Sequence, residues 1–229
     1  MTAKDIIRKA EEKVRGTETA YSEMKIIVKR PKWSREMTMK SWLKGNDYSL
    51  ILITSPVKEK GTAFLKRKQE IWNWVPSIER TIKLPPSMMG QSWMGTDLTN
   101  DDLVKESSNV TDYTHTLLED TVINGRECYQ IELIPKPDAS VVWGKVMAYI
   151  TKKDLVQVLT KMYDEDEFLV SITKASDIKQ MGGVVMATRM EMIPTDKDGH
   201  ATIMIIENME FNKPIADNFF TLQNIKKVQ

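Results

Sequence analysis

Apolar and polar residues alternate with a period of two through most of this chain, and only its opening segment follows a different rule. There Ile6, Ile7, Ala10 and Val14 recur at helical spacing with charged residues between them, and Thr2 is placed to cap the first turn. The spacing predicts a helix from Thr2 to about Val14, ended by Gly16. From Thr17 the period becomes two. Ala20, Ser22, Met24, Ile26 and Val28 alternate with Thr19, Tyr21, Glu23, Lys25 and Lys29, as in a half-buried antiparallel strand. Trp33, Met37, Met39 and Leu43 alternate with Ser34, Glu36, Thr38 and Lys40 in the next. These two segments are expected to pair antiparallel, with Met24, Ile26, Met37 and Met39 on one concave side, because a one-residue slip would expose the whole apolar set together.

The rhythm continues with predicted strands at 48–54, 62–68 and 71–75, the last stopped by Pro76. Further strands are expected at 113–122 and 127–135, flanking the hairpin signal Asn124-Gly125, and then at 143–150, 155–163 and 168–178. A final hairpin joins 184–193 to 201–211, and Phe219, Phe220 and Leu222 are placed to dock as a closing flap. No Gly/Ser/Pro linker interrupts the sequence and no solenoid or propeller repeat is visible, so a single domain over 1–229 is expected. Antiparallel strands in succession with few helices predict a mainly β fold, a barrel or strongly curved sheet.

Composition removes several function classes. The 229 residues carry 33 basic and 32 acidic side chains, a formal net charge of +1, which is not the electrostatic footprint of a nucleic-acid binder. Lys66-Arg67-Lys68 forms no basic stripe either, because strand alternation puts Arg67 on the opposite face from its neighbours. No apolar run is long enough to span a bilayer, and the start of the sequence shows no basic-then-apolar leader. The single Cys128 rules out an internal disulfide.

A search for chemistry finds no convergent set. His115 and His200 are the two histidines, far apart and without Cys or His neighbours at metal-ligand spacing. No nucleophile elbow or phosphate-cradling glycine loop is present. Aligning Gly199 with the glycine of a calcium loop puts Pro194 and Ile205 where carboxylates are required. The reading is of a protein without catalytic residues, metal or cofactor.

Methionine is the composition's informative excess. Of the 15 present, Met24, Met37, Met39, Met186, Met190 and Met192 fall in the apolar phase of predicted strands, although Met is not a favoured strand former. Two uses are open: filling an ordinary core, or lining a surface that reshapes around ligands of varied form. Trp72 and Trp74 share one strand face. Together with Trp93 and the Met88-Met89 pair they would supply a broad apolar wall, or cover one end of a barrel. Beyond Trp93, Thr99 is placed to cap a short helix carrying Asp101 and Asp102 in its first turn. The region resembles an apolar surface with a movable cover.

The Trp72-x-Trp74-x-Pro76 strand, the later Arg80, and the block Ser92-Trp93-Met94-Gly95-Thr96-Asp97-Leu98-Thr99 followed by Asp101-Asp102-Leu103 resemble the signature of the LolA-like outer-membrane lipoprotein-sorting proteins. Trp93 stands where the family carries Phe, Leu98 where it carries an aromatic, and Thr81 thins the basic run between Arg80 and Lys83. The resemblance implies an incomplete antiparallel β-barrel or curved sheet whose concave apolar face is covered by helices. It also implies a periplasmic or cell-envelope location and a non-enzymatic role as carrier or chaperone for acyl chains of lipoproteins or other lipids, with an envelope membrane transporter as a further partner. The expected ligand-lining set is Met24, Ile26, Met37, Met39, Trp72, Trp74, Met89, Trp93, Met94, Met186, Met190 and Met192. Gly90 and Gly95 are the expected hinges of the cover, and the protein is expected to be a monomer without nucleic-acid partners. The alternative is an envelope lipid sensor or protein-interaction domain that uses the same half-barrel to meet a transporter or regulator.

Overall fold

The computed structural model describes residues 1–15, 18–68, 70–89, 91–100, 109–139, 141 and 143–228. Within them the alternation becomes fourteen strands: β1 (Thr19–Arg30), β2 (Trp33–Lys44), β3 (Tyr48–Ser55), β4 (Ala63–Arg67), β5 (Glu70–Val75), β6 (Arg80–Lys83), β7 (Tyr113–Leu117), β8 (Thr121–Ile123), β9 (Arg126–Pro135), β10 (Lys145–Thr151), β11 (Gln157–Tyr163), β12 (Leu169–Met181), β13 (Val184–Pro194) and β14 (Ala201–Phe211). They hydrogen-bond as one antiparallel sheet in the order β6-β5-β4-β3-β2-β1-β14-β13-β12-β11-β10-β9-β7, with β8 on β9. Among the described residues β6 and β7 do not pair, so the sheet stays open, as an incomplete barrel requires. The chain divides into two compact units, Met1–Val14 with Ser107–Ile203 and Arg15–Glu106 with Met204–Gln229.

The first unit contains the helix α1 (Ala3–Arg15). Its start is a reciprocal cap: the Asp5 amide donates to Thr2 Oγ1 at 3.2 Å, and the Thr2 amide donates to the Asp5 carboxylate at 3.3 Å. Ile6, Ile7 and Ala10 are buried against Ile131 and Leu133 of β9 and Val146, Ala148 and Ile150 of β10. Val14, expected on this face, is exposed because it lies one turn beyond the last packed residue. Gly16, the expected helix stop, lies outside the described residues. The opposite phase of β10 joins Cys128, Val156, Val158 and Ala187 in a second core.

Asn124 and Gly125 both take positive φ, 49° and 75°, the geometry a two-residue hairpin needs, and Ile123 pairs with Arg126 across them. The single strand expected over 113–122 is instead two. Leu117 pairs with Ile131 and Thr121 with Cys128, so three residues on one side oppose two on the other, and the extra residue interrupts the ladder.

In the second unit β1 and β2 pair antiparallel as expected, with Met24 opposite Met39 and Ile26 opposite Met37. Both faces of this part of the sheet are covered. One buries Ile26, Val28, Met37, Met39, Ile53, Phe64 and Ile71 beneath Leu84 and Trp93. The other buries Leu50, Leu52, Ala63 and Leu65 beneath Phe220 and Ile225, with Phe219 and Leu222 alongside, so the tail docks as the expected flap. Trp33, in the apolar phase of β2, is exposed because it lies at the hairpin tip, beyond the covered stretch. The short edge strand β6 was not visible as a strand in the sequence pattern.

Candidate functional site

The segment after β6 folds on itself before it folds on the sheet. A 3₁₀ turn spans Trp93–Gly95, and its sharp reversal uses left-handed backbone at Met94 (φ 49°) and Gly95 (φ 72°). The Trp93 amide donates to Leu98 O at 2.8 Å, Ser92 Oγ to Thr96 O at 2.6 Å, and Thr96 Oγ1 to Trp93 O at 2.7 Å. Asn100 closes the loop from outside, its amide donating to Gln91 O and its side-chain Nδ2 to Met88 O, each at 2.9 Å. These bonds make a compact knot that presents Trp93 inward, 1 % exposed, with its ring edge-on to Phe64 at 5.6 Å.

Two arginines fasten this knot to the sheet. Arg30, the last residue of β1, pairs with Asp97 at 3.1 Å and donates through its other terminal nitrogen to Gly95 O at 2.8 Å. Arg35, near the start of β2, donates to Met94 O and pairs with Glu59 at 2.7 Å. The expectation of a cover thus acquires a mechanism of attachment: polar bonds at its rim and apolar contact beneath. Neither arginine figured among the expected site residues. Their signal was present in the alternation, because Arg30 continues the buried phase Met24, Ile26, Val28, and Arg35 precedes Met37 and Met39 in theirs. A charge in an apolar phase calls for a partner.

Of the twelve expected lining residues, seven converge beneath or within the knot. Ile26, Met37, Met39 and Trp93 are buried in one cluster, and Met24, Met89 and Met94 pack against it half-buried, with Met88, Leu98 and Met204 beside them. Trp72 and Trp74 are not among them. They share a face, as their spacing requires, but it is the face covered by the C-terminal tail. Ile71, in the opposite phase of β5, reaches the Trp93 cluster. Lys83 lies over the Trp72 ring at 5.5 Å and Lys226 over that of Trp74 at 5.6 Å. Met186, Met190 and Met192 share one face of β13 in the other unit, and none of them belongs to the Trp93 cluster. Gly90, Asp101, Asp102 and Leu103 lie outside the described residues.

Met24, Met39 and Ile53 also contribute to a groove of about 700 Å³ whose other lining residues include Thr38, Lys40, Leu52, Lys60, Glu207 and Val228. The methionine cluster therefore reaches an open cavity at its β1–β2–β3 margin. Apolar side chains share this lining about equally with polar and charged ones, Glu23 and Thr54 among them.

Two of the partly or fully buried titratable groups, His115 and Cys128, have shifted ionisation. His115 Nε2 lies 2.5 Å from Asn109 O, and burial pushes its pKa below the ordinary histidine value. Cys128 is fully buried and burial raises its thiol pKa. Among the described residues no group of three His, Cys, Asp or Glu side chains is placed to hold a metal ion. Lys66 is buried in β4 and donates to Asn46 O at 2.7 Å, so that part of the basic triplet is structural.

A family model described as uncharacterized-protein-like matches residues 45–227. The chain belongs to that family. No curated protein matches it. Among solved structures, a DUF1329 family protein from Desulfovibrio piger is similar, with 22% identity, a TM-score of 0.86 and 97% of each chain covered. A domain from Vibrio parahaemolyticus described as an outer membrane lipoprotein-sorting protein is similar at 20% identity, TM-score 0.83 and 98% of each chain. A LolA superfamily protein from Nitrosomonas europaea is similar at 23% identity and TM-score 0.80, covering 97% of this chain and 99% of that one. The fold of this family member is LolA-like, as the resemblance of its central block implies. Among its described residues no helix is long and apolar enough to cross a membrane.

Proposed function

We propose that this protein is a non-enzymatic carrier or chaperone that shelters the acyl chains of lipoproteins or other lipids in the periplasm or cell envelope. The observation that carries the reading is the Met-rich cluster beneath the Trp93 knot, in which Met24, Met37, Met39, Met88, Met89, Met94 and Met204 converge on one sheet face under a cover fastened by arginines. Thioether side chains repack around an inserted chain more easily than branched ones. Each methylene moved from water into such a site contributes about 0.8 kcal/mol, so one acyl chain supplies useful affinity after ordering costs. The likeness to a lipoprotein-sorting domain supports the same reading. In this proposal residues 1–229 act as one LolA-like domain, as a monomer, with a transporter of the envelope as donor or acceptor.

The test is native mass spectrometry of gently purified protein for bound lipid, paired with displacement of a fluorescent fatty acid. Met94→Asp should weaken displacement with little loss of melting temperature, because Met94 is half-buried at the cluster's rim. A protein free of lipid that also ignores the fluorescent probe would sink the carrier reading.

A further inference from the structure

The hairpin tips β1–β2, β3–β4 and β5–β6 lie at the same end of the second unit's sheet, as an antiparallel succession of strands requires. They are also neighbours in space. Arg35 at the first pairs with Glu59 of the second, and a Cβ placed on Gly61 of the second would meet the Pro76 ring of the third at 3.5 Å. Each tip repeats one composition: a proline, a large apolar side chain turned to solvent, and a basic residue. The sets are Pro31-Lys32-Trp33, Pro56-Val57-Lys58 and Pro76-Ser77-Ile78-Glu79-Arg80. Trp33 is 53% exposed, Val57 90% and Ile78 54%.

Other large apolar side chains are exposed elsewhere, Val122 and Phe168 among them, but Trp33, Val57 and Ile78 are gathered on adjacent tips of one sheet end. None of the three fills a core position, and packing does not explain them. The charge around them has one dominant sign. Lys32, Lys58, Lys60 and Arg80 are exposed, against Glu79 and Glu36, the latter paired with Lys25 at 3.9 Å, while Glu59 is engaged by Arg35. An apolar tip ringed by cations suits the boundary of an anionic bilayer, where the apolar group enters the headgroup layer and the cations meet lipid phosphates. Trp33, with Arg30 over its ring at 5.9 Å, is the residue type that favours that depth.

We propose that these three tips form a docking surface for anionic phospholipid membranes. Contact is peripheral and reversible, since three single side chains bury far less apolar surface than a spanning or amphipathic helix. The same end carries the arginine clasp on the Trp93 knot, through Arg30 and Arg35, so docking would bring the cover to the lipid surface. The docking itself holds whether or not the fold carries acyl chains.

The test is co-sedimentation of the full chain with vesicles of phosphatidylcholine alone and of an equal mixture of phosphatidylcholine and phosphatidylglycerol. Preferred binding to the mixed vesicles, weakening as salt rises, is expected. The triple variant Trp33→Ser, Val57→Ser, Ile78→Ser should lose roughly tenfold or more in partition while keeping its melting temperature, since all three sites are exposed. The variant Lys32→Glu, Lys58→Glu, Arg80→Glu should lose the preference for anionic vesicles, each cation near such a surface being worth roughly fivefold in partition. Vesicle binding should persist when a fatty-acid probe is present in saturating excess, which separates docking from cargo binding. Absence of binding, equal binding to both vesicle types, or a triple serine variant that binds like the parent would overturn the proposal.

Discussion

Arg30 and Asp97 meet at 3.1 Å with 11% and 10% of their side chains exposed, and the same arginine donates to the carbonyl of Gly95. A pair so withdrawn from water gains little against two apolar residues of equal size, yet removing one partner leaves the other charge stranded. The clasp therefore sets where the Trp93 knot sits more than it adds to global stability.

Arg30→Ala should cost about 3 kcal/mol in urea unfolding, because Asp97 and the Gly95 carbonyl lose their shared donor. Arg30→Lys should recover only part of this, since an ammonium lacks the planar fork that reaches both acceptors. A destabilisation below about 0.5 kcal/mol, the level of an exposed pair, would show that solvent screens the clasp.

Trp93 has an indole nitrogen that is buried and without a hydrogen-bond partner. An unsatisfied buried donor costs about 1–3 kcal/mol. Trp93→Phe removes that group together with part of the ring and should stay within about 1.5 kcal/mol of the parent, whereas Trp93→Ala should cost about 3–5 kcal/mol. Phe220→Ala should be similarly destabilising but act on the opposite sheet face. Calorimetry and fatty-acid displacement together check this: Phe220→Ala lowers the melting temperature without changing affinity in the folded protein.

His115 has a pKa lowered chiefly by burial, with Lys4 and Lys136 adding to the effect against the hydrogen bond to Asn109. The unfolded chain therefore binds the proton more readily than the folded one. Its contribution to stability is full above the ordinary histidine pKa of about 6.5 and is lost as pH falls through the lower folded value. Replacing it with Gln should flatten the decline of stability between roughly pH 7 and pH 5, measured by denaturant titration, while acyl binding at neutral pH is unchanged. A parallel decline in both proteins would assign the pH dependence elsewhere.

Much of the fold was legible because strand alternation and turn chemistry are local. The register of Met24 on Met39 and Ile26 on Met37 follows from two matched apolar phases joined by a tight turn. Asn124-Gly125 declares its hairpin through positive φ, and Thr2 declares the start of α1, where the structure adds Asp5 as its reciprocal partner. The segment around Trp93 and Met94, singled out from the central block, packs on the sheet face that buries Met37 and Met39.

What the sequence determined by itself was which residues share a face; which face each set joins was decided by the tertiary structure. Trp72 and Trp74 point the same way by spacing alone, but a strand pattern carries no label telling one covered face from the other. The docking of Phe219, Phe220 and Ile225 assigned them to the tail side, while Ile71 reached the Trp93 cluster. Arg30 and Arg35 sit in apolar phases that local rules read as core, and only the return of the chain from far along the sequence supplies Asp97 and the carbonyls of Met94 and Gly95. Val14 and Trp33 fit their periodicities and are nonetheless exposed, because periodicity ranks positions around an element and does not say how far along it the neighbouring layer extends.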